Sequence, residues 1–182
     1  MPDPSTLSHW DGPQARNRFD EIVDLYAEVY AEPPYHEGPG EVIGFRESFL
    51  NQSRSRGFAL VSAEVDARMV GFVFGFTLQP DTSWWSGLLG TLPDRAFTTE
   101  SGDRTVAIIE LVMRAPWRRQ GVGGRMFDAF LAKRREDRAT LLCRPEAFAA
   151  QAFYARRGWW RVGRVRPFEG APVYDVMILR LR

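Results

Sequence analysis

The sequence lacks the features that are typical of disulfide-stabilised, membrane-spanning and secreted proteins. Cys143 is the single cysteine among 182 residues, which excludes an internal disulfide and is typical of a reducing cytoplasm. The longest apolar run, Met69 to Leu78, falls far short of the roughly 20 residues that a membrane span needs. Residues 1–10 lack the basic and apolar regions of a signal peptide. We therefore expect a cytoplasmic protein that does not bind a membrane.

The chain also has almost no excess of positive over negative charge. A formal net charge of +1 gives no long-range field that would attract nucleic acid to the whole surface. Two histidines and one cysteine are too few for a usual zinc site, so we predict no metal and no nucleic-acid partner. The composition, 45% hydrophobic and 26% charged, is globular. We expect one domain spanning residues 1–182.

Hydrophobic periodicity predicts two helices followed by a hairpin. The signal Asp11-Gly12-Pro13 opens one predicted helix, which carries apolar residues at helical spacing from Phe19 to Tyr30. A second, weaker helix is predicted around Val42–Leu50. The two strands of the hairpin are predicted at Phe58–Val65 and Met69–Leu78, and the second should be central because it is apolar on both faces.

The remainder of the chain predicts strands that alternate with helices. It begins with a long irregular stretch, Pro80 to Arg104, whose length and tryptophans favour binding or packing. Four strands and two helices are then predicted: Thr105–Met113, Thr140–Cys143, Trp159–Val165 and Val173–Leu181 as strands, Gly121–Arg135 and Pro145–Arg156 as helices. This order predicts an α/β fold with a sheet of mixed direction.

A glycine-rich turn joins the strand Thr105–Met113 to the helix that follows it. The turn reads Arg118-Arg119-Gln120-Gly121-Val122-Gly123-Gly124. The unpaired N–H groups and the positive dipole of a helix N-terminus suit a phosphate, and glycines allow close approach of the backbone. The spacing matches neither the Walker loop nor the dinucleotide fingerprint. On its own, the turn fits a phosphate site and a plain solvent-exposed turn equally well.

Two motifs resemble the signatures of the GNAT N-acetyltransferases. Arg118–Gly123 resembles the Arg/Gln-x-x-Gly-x-Gly/Ala signature, and the preceding Glu110–Arg114 resembles the family's central strand. Ala152–Trp159 resembles the second signature, in which a tyrosine is followed by three residues, a glycine and an aromatic. The resemblance covers Thr105 to Val165. Pro145-Glu146-Ala147 departs from it, since many members carry an asparagine there. We therefore do not expect the cofactor contact of that asparagine in this chain.

The resemblance implies the GNAT acyl-CoA N-acyltransferase fold, a mixed and mostly antiparallel sheet that is splayed at the cofactor site, with helices on both faces. It implies acetyl-CoA as the acyl donor. The pantetheine arm would pair with the backbone of Leu111, Val112 and Met113. The pyrophosphate would be held by the turn, through Arg118, Arg119, Gln120, Gly121, Val122, Gly123 and Gly124.

Direct attack of an amine on the thioester calls for a base and an acid. Glu110, on the strand beside the expected thioester, is the candidate base, acting directly or through water; the alternative is an ion pair with a nearby arginine. Tyr154, from the second motif, is the candidate acid and a cofactor contact, with its hydroxyl aimed at the sulfur. The alternative for Tyr154 is a core tyrosine with one hydrogen bond.

Four further residues are candidate acceptor contacts. Tyr35 and His36 lie in the loop that covers the acceptor site in this family; His36 is an alternative base or a plain surface histidine. Trp84 and Trp85 would line the acceptor pocket, cap the core beneath the long stretch, or contact a second copy of the chain in a homodimer. Cys143 is expected to be a buried, inert thiol.

These observations predict an acetyl-CoA-dependent N-acetyltransferase whose acceptor is the primary amine of a small molecule. The near-neutral charge argues against histone-like acceptors. Two alternatives stay open. One is a protein or peptide N-acetyltransferase, which would need an open groove where the chain has Pro80 to Arg104. The other is a non-catalytic, regulatory acyl-CoA-binding domain.

Overall fold

The computed structural model describes residues 5–90 and 94–182. The described residues form two compact units, residues 5–76 with 109–134 and residues 77–90 with 94–108 and 135–182. The one domain expected for residues 1–182 stays a prediction. The elements in chain order are β1 (Thr6–Trp10), α1 (Gly12–Arg16), α2 (Phe19–Tyr30), α3 (Pro39–Gln52), β2 (Ala59–Val65), β3 (Arg68–Thr77), β4 (Leu88–Leu89), α4 (Arg95–Thr98), β5 (Thr105–Met113), α5 (Val122–Ala132), β6 (Arg138–Cys143), α6 (Phe148–Ala155), β7 (Trp160–Val165) and β8 (Tyr174–Arg180).

The sheet of the first unit has the order β1-β2-β3-β5. β2 and β3 form the predicted antiparallel hairpin, from Ala59↔Gly75 to Val65↔Arg68, and β3 is central as predicted. β1 pairs antiparallel with β2; the sequence did not predict this strand. The Arg114 N–H donates to the Val70 carbonyl at 2.9 Å where β5 ends.

The single helix predicted from Asp11 to Tyr30 is in fact two helices. Asp11 begins α1 with a capping box, in which its side chain accepts from the Gln14 N–H at 2.9 Å and its own N–H donates to the Gln14 side chain at 3.0 Å. α1 ends at Arg16, and α2 begins at Phe19. The prediction of one helix was therefore wrong at this joint, because apolar periodicity does not register a local cap.

An aromatic core lies beneath α2 and α3. Phe49 is fully buried and meets Phe74 of β3 edge-on, with ring centroids 5.3 Å apart. The Tyr26 ring of α2 stacks on Phe45 of α3 with centroids 3.8 Å apart. Such pairs add packing energy beyond the apolar area that they bury. They therefore hold α2 against α3, and α3 against β3.

Gly71 of β3 allows β5 to approach closely. A Cβ built on Gly71 would lie 2.8 Å from the Val112 carbonyl oxygen, a distance that side chains do not tolerate. The absence of a side chain on this face therefore serves the contact between two strands of the first unit.

The strands of the second unit, which includes the first half of β5, have the order β5-β6-β8-β7-β4. β5 and β6 run parallel, from Thr105↔Arg138 to Ile108↔Leu141, and the other strand pairs recorded among the described residues are antiparallel. This confirms the prediction of a mixed, mostly antiparallel sheet.

The stretch Pro80 to Arg104 is less irregular than predicted. β4 pairs with β7 through Leu88↔Val165 and Leu89↔Arg164, and α4 begins after Asp94, whose side chain accepts from the Ala96 N–H. Residues 91–93 lie outside the described part of the chain. Within residues 5–90 and 94–182, none of the helices has the length and apolar character needed to cross a membrane.

Candidate active site

The Glu110 carboxyl on β5 has a chemically unusual environment. The Tyr30 hydroxyl of α2 donates a hydrogen bond to Oε2 of Glu110. Burial raises the pKa of Glu110 to about 8, the Tyr30 hydrogen bond opposes this rise, and the negative charge of Glu37 adds to it. A carboxyl with such a pKa changes protonation near neutral pH, as a general base for amine chemistry should.

The two arginines that follow Glu110 most closely in sequence form ion pairs with other residues. Arg114 forms an ion pair with Glu28 at 3.1 Å, and Arg118 pairs with Glu32 at 2.6 Å. Both glutamates belong to α2 or to the residues that follow it. Among the described residues, the hydrogen-bond partner of the Glu110 carboxyl is therefore the neutral Tyr30 hydroxyl, and not an arginine as the alternative interpretation expected.

Glu110 belongs to a cluster of three tyrosines and two glutamates, Tyr26, Tyr30, Tyr35, Glu37 and Glu110, which we call the tyrosine–glutamate cluster. The Tyr26 hydroxyl donates to Oε2 of Glu37 at 2.5 Å. The Tyr30 ring lies 4.4 Å from that of Tyr26 and 4.7 Å, edge-on, from that of Tyr35. Burial, and then the Glu110 charge, raise the pKa of Tyr30 well above its usual value. Tyr30 therefore remains a protonated hydrogen-bond donor at neutral pH.

The structure brings one predicted acceptor residue to this cluster. Tyr35 packs on Tyr30, while the neighbouring His36 is exposed and has a φ of 52°. Sequence reasoning missed Tyr26, Tyr30 and Glu37. Tyr26 and Tyr30 counted only as apolar positions of α2. Tyr26 is buried and Tyr30 is half-buried, and two such tyrosines four residues apart need hydroxyl partners on one helix face.

The glycine-rich turn has the features of a phosphate-binding helix N-terminus. Gly121 is the N-cap of α5, with a φ of 82°, and it has no side chain to satisfy the first N–H groups of the helix. A Cβ at Gly121 would meet nothing within 4 Å, and one at Gly123 would meet Met113 Cε at 3.8 Å. Arg119 is exposed. The turn is thus open to a phosphate group, and the residues present fit a pyrophosphate.

Two side chains of this turn donate hydrogen bonds to backbone carbonyls of the residues just before it. The Nε of Arg118 donates to the Met113 carbonyl at 2.8 Å, which occupies one of the backbone groups predicted to pair with pantetheine. The Gln120 side chain donates to the Pro116 carbonyl at 2.5 Å. Leu111 and Met113 are half-buried and Val122 and Gly124 are buried, while Val112 is fully buried on β5.

Tyr154 lies on α6 in the second unit. It is buried, and its ring packs against Trp159 with centroids 5.8 Å apart and against Phe153 at 5.3 Å. The second motif has a local structural role as well, because the Trp159 N–H donates to the Tyr154 carbonyl at 3.2 Å across Gly158, whose φ is 80°. Only a glycine adopts this C-terminal conformation at little cost.

The predicted acceptor tryptophans also belong to the second unit. Trp85 is 9% exposed, and its indole N–H donates to Oε1 of Glu100 at 3.0 Å. The Trp84 indole N–H donates to the Thr140 hydroxyl at 3.3 Å. Both indoles are thus hydrogen-bonded within this unit, as the core-capping alternative requires. Their contact with an acyl acceptor stays a prediction.

Cys143 is the buried, inert thiol that the sequence predicted. It is 4% exposed, and burial, followed by the charges of Asp175 and Glu146, raises its pKa to about 12. A thiol that stays protonated is a poor nucleophile. Within residues 5–90 and 94–182, no group of three or more His, Cys, Asp or Glu side chains is arranged to hold a metal ion.

Comparison with known proteins decides the family. A family model described as "Acetyltransferase (GNAT) family" matches residues 19–159, which is most of the chain. The chain belongs to the GNAT acetyltransferase family. It is an acetyl-CoA-dependent transferase, and acetyl-CoA is its acyl donor. No curated protein matches the chain.

Solved structures confirm the GNAT fold. Aminoglycoside 6'-acetyltransferase type Ii is 16% identical, with a TM-score of 0.66 and 97% of each chain covered. The PaiA N-acetyltransferase of Thermoplasma acidophilum, solved in complex with coenzyme A, is 10% identical, with a TM-score of 0.64, and covers 97% of this chain and 98% of its own. The ribosomal-protein-S18-alanine N-acetyltransferase of Escherichia coli is 14% identical, with a TM-score of 0.60, and covers 97% and 94%.

Proposed function

We propose that this GNAT acetyltransferase transfers an acetyl group to the primary amine of a small molecule by direct attack, with Glu110 as the base and Tyr154 as the acid. The observation that carries the proposal is the Glu110 carboxyl, which accepts from Tyr30 and has a pKa of about 8. A cytoplasmic location stays a prediction from the single cysteine.

The donor side is supported by the geometry of the turn. The backbone N–H groups of Gln120 to Gly124 would hold the pyrophosphate at the N-terminus of α5, together with the exposed Arg119 side chain. The backbone of Leu111 to Met113 would pair with pantetheine. Arg118 uses its Nε for the Met113 carbonyl and its Nη1 for Glu32, so a phosphate contact would use its remaining N–H donors. When bound, acetyl-CoA supplies an electrophilic thioester carbonyl.

The proton transfers are assigned to the chain's own groups. An alkylammonium acceptor must lose a proton before its nitrogen can attack, and the Glu110 carboxylate takes that proton directly or through one water. The Tyr154 hydroxyl gives a proton to the departing thiolate, and the proposal for this residue is supported by its place in the second motif. The negative charge gained on the carbonyl oxygen needs N–H donors, which an exposed backbone amide can supply.

The acceptor side is supported by the environment of Glu110. Once ionised, the Glu110 carboxyl beside the tyrosine rings suits a cationic ammonium group, and the Tyr35 ring meets the Tyr30 ring edge-on. His36, Trp84 and Trp85 remain candidate contacts, and a homodimer remains a candidate assembly. The relatives named above include one named for an aminoglycoside and one for a ribosomal-protein alanine, so peptide acceptors belong in any test.

The test is a screen of primary amines and N-terminal peptides that follows thiol release from acetyl-CoA. We expect turnover with small amines and not with peptides. Glu110→Gln should lower kcat by about 10²-fold or more, the usual contribution of a general base, whereas Glu47→Gln, on the exposed part of α3, should change nothing. Tyr154→Phe should lower kcat while calorimetry shows an unchanged affinity for acetyl-CoA, with Tyr174→Phe as its control.

Three outcomes would each contradict one part of this proposal. Acetylation of peptides alone would remove the small-molecule acceptor. Full turnover by Glu110→Gln or Tyr154→Phe would remove that residue from the chemistry. Absence of binding heat with acetyl-CoA on folded protein would remove the donor site at the glycine-rich turn.

A further inference from the structure

Glu37 lies outside both family motifs but is fixed against the residues that surround Glu110. Its backbone N–H donates to the Tyr30 carbonyl at 2.9 Å, just beyond the end of α2. Its carboxylate accepts from the Tyr26 hydroxyl at 2.5 Å. One residue is therefore tied to both tyrosines of α2, and Tyr30 is in turn bonded to Glu110.

The charged and titratable groups around this cluster come from several elements. α2 supplies Tyr26 and Tyr30, the following loop supplies Tyr35, His36 and Glu37, and β5 supplies Glu110. Glu41, in the first turn of α3, is the next carboxyl along the chain after Glu37 and accepts from the Gly38 N–H at 2.9 Å. Two arginines that follow β5 form ion pairs with glutamates of α2 and the residues after it, Arg114 with Glu28 and Arg118 with Glu32. Among these groups, Glu37 is the carboxylate whose charge acts on Glu110.

We propose that Glu37 is a positioning residue for Glu110: it holds Tyr26 and Tyr30 in place and sets a second negative charge near the catalytic carboxyl. Its significance for catalysis rests on the proposed function of Glu110 as the base. Because like charges oppose each other's ionisation, a negative Glu37 makes Glu110 a stronger base. Removal of that charge should make Glu110 ionise at lower pH.

This coupling can be measured without any acyl acceptor. Carbon-13 NMR of side-chain carboxyl groups in glutamate-labelled full-length protein follows each ionisation from about pH 5 to about pH 10, and the Glu110 signal is identified by its loss in Glu110→Gln. We expect Glu37→Gln to move the midpoint of the Glu110 ionisation, called the Glu110 midpoint below, to lower pH. Glu37→Asp, which keeps the charge, should leave the midpoint closer to that of the wild type.

Glu41→Gln is the matched control. It removes one negative charge from the start of α3, and a glutamine at this position can still form the capping interaction with Gly38. We expect its Glu110 midpoint to equal that of the wild type. If Glu37→Gln does not fold, Glu37→Asn takes its place, because it removes the same negative charge with a smaller amide side chain, and the Glu110 midpoint should again fall.

The inference is overturned if the Glu110 midpoint is unchanged in Glu37→Gln, or if Glu41→Gln shifts it equally. The acid limb of kcat/KM, measured with an amine from the screen, separates this result from the proposed function. A midpoint that moves together with the acid limb supports both. A midpoint that moves while the acid limb stays in place upholds the coupling and removes Glu110 as the base.

Discussion

The Tyr30 hydroxyl donates a hydrogen bond to Oε2 of Glu110, across 80 residues of sequence. Burial disfavours the charged carboxylate and the Glu37 charge does the same, whereas the Tyr30 bond favours it. The pKa of about 8 is the balance of these effects. The protonation of the proposed base at neutral pH therefore depends on a helix residue that belongs to neither family motif.

Replacement of Tyr30 by phenylalanine removes the contact that favours the ionised carboxyl. We expect the pKa of Glu110 to rise further, since a hydrogen bond to a charged form lowers the pKa of an acid. The acid limb of kcat/KM should move to higher pH, with activity lost at neutral pH and recovered in alkaline buffer. A pH–rate profile of Tyr30→Phe measures this shift. A profile that moves to lower pH, or not at all, would contradict the assigned hydrogen bond.

The raised pKa of Glu110 should also make the stability of the protein depend on pH. In the folded protein Glu110 stays protonated up to about pH 8, whereas in the unfolded chain it ionises near 4.5. Between these values the folded state binds more protons, so the contribution of Glu110 to stability is full below the lower value and falls as pH rises through the higher one. The Glu110→Gln variant has no carboxyl to ionise at this position. As pH rises through this range, the Tm of the wild type should therefore fall relative to that of Glu110→Gln, and above the range the difference should stay constant.

Thermal unfolding of both proteins at intervals between about pH 5 and about pH 9 gives this difference directly. Glu47→Gln, which changes an exposed carboxyl, should give a difference in Tm that is flat in the same range. A flat difference for Glu110→Gln would show that the Glu110 carboxyl ionises normally, and the raised pKa would then be wrong.

How much the sequence could predict depended on how local the interactions are. The glycine-rich turn before α5 was predicted from the sequence, because glycines directly before an amphipathic helix mark its N-terminus. Its contacts with a pyrophosphate stay a prediction. The hairpin of β2 and β3 was predicted because its two apolar strands are adjacent in sequence and separated by a short turn. The tyrosine–glutamate cluster was not, because the Tyr30–Glu110 bond exists only once α2 lies on β5.

The missed elements share a weak sequence signal. β1 is five residues long, and its burial does not alternate strictly between buried and exposed positions, so period-2 alternation could not identify it. β4 has two residues and α4 has four. Elements this short are held by tertiary contacts, such as the pairing of Leu88 with Val165.

Gly121 should tolerate asparagine better than alanine. Its φ of 82° is left-handed, and a Cβ there would meet nothing within 4 Å, so the cost of a side chain is conformational and not steric. Alanine should cost about 1–2 kcal/mol of stability, while asparagine adopts this region more readily. Urea unfolding of Gly121→Ala and Gly121→Asn measures the costs, and calorimetry should show weaker acetyl-CoA binding by the alanine variant. Equal costs would mean that the left-handed backbone is not what selects glycine.

The second unit depends on a buried ion pair. Arg138 contacts Glu100 at 2.9 Å, with side chains that are 8% and 0% exposed, and Oε1 of Glu100 also accepts from Trp85 at 3.0 Å and from Thr105 at 2.9 Å. Among the described residues, Oε2 of Glu100 has no hydrogen-bond partner. The Arg138 guanidinium lies 4.4 Å from the centre of the Phe97 ring. This pair therefore fixes the end of the long stretch against β5 and β6.

Removal of one member of this pair should destabilise the protein more than removal of both. Arg138→Met leaves the Glu100 charge buried without compensation, which typically costs about 3–5 kcal/mol. Arg138→Met combined with Glu100→Gln removes both charges and keeps a donor and acceptor for Trp85 and Thr105, so it should recover part of that loss. Urea unfolding of the two single variants and the double variant gives the coupling energy. If the costs of the single changes simply add in the double variant, the two charges do not depend on each other and the stretch must be held by its apolar contacts.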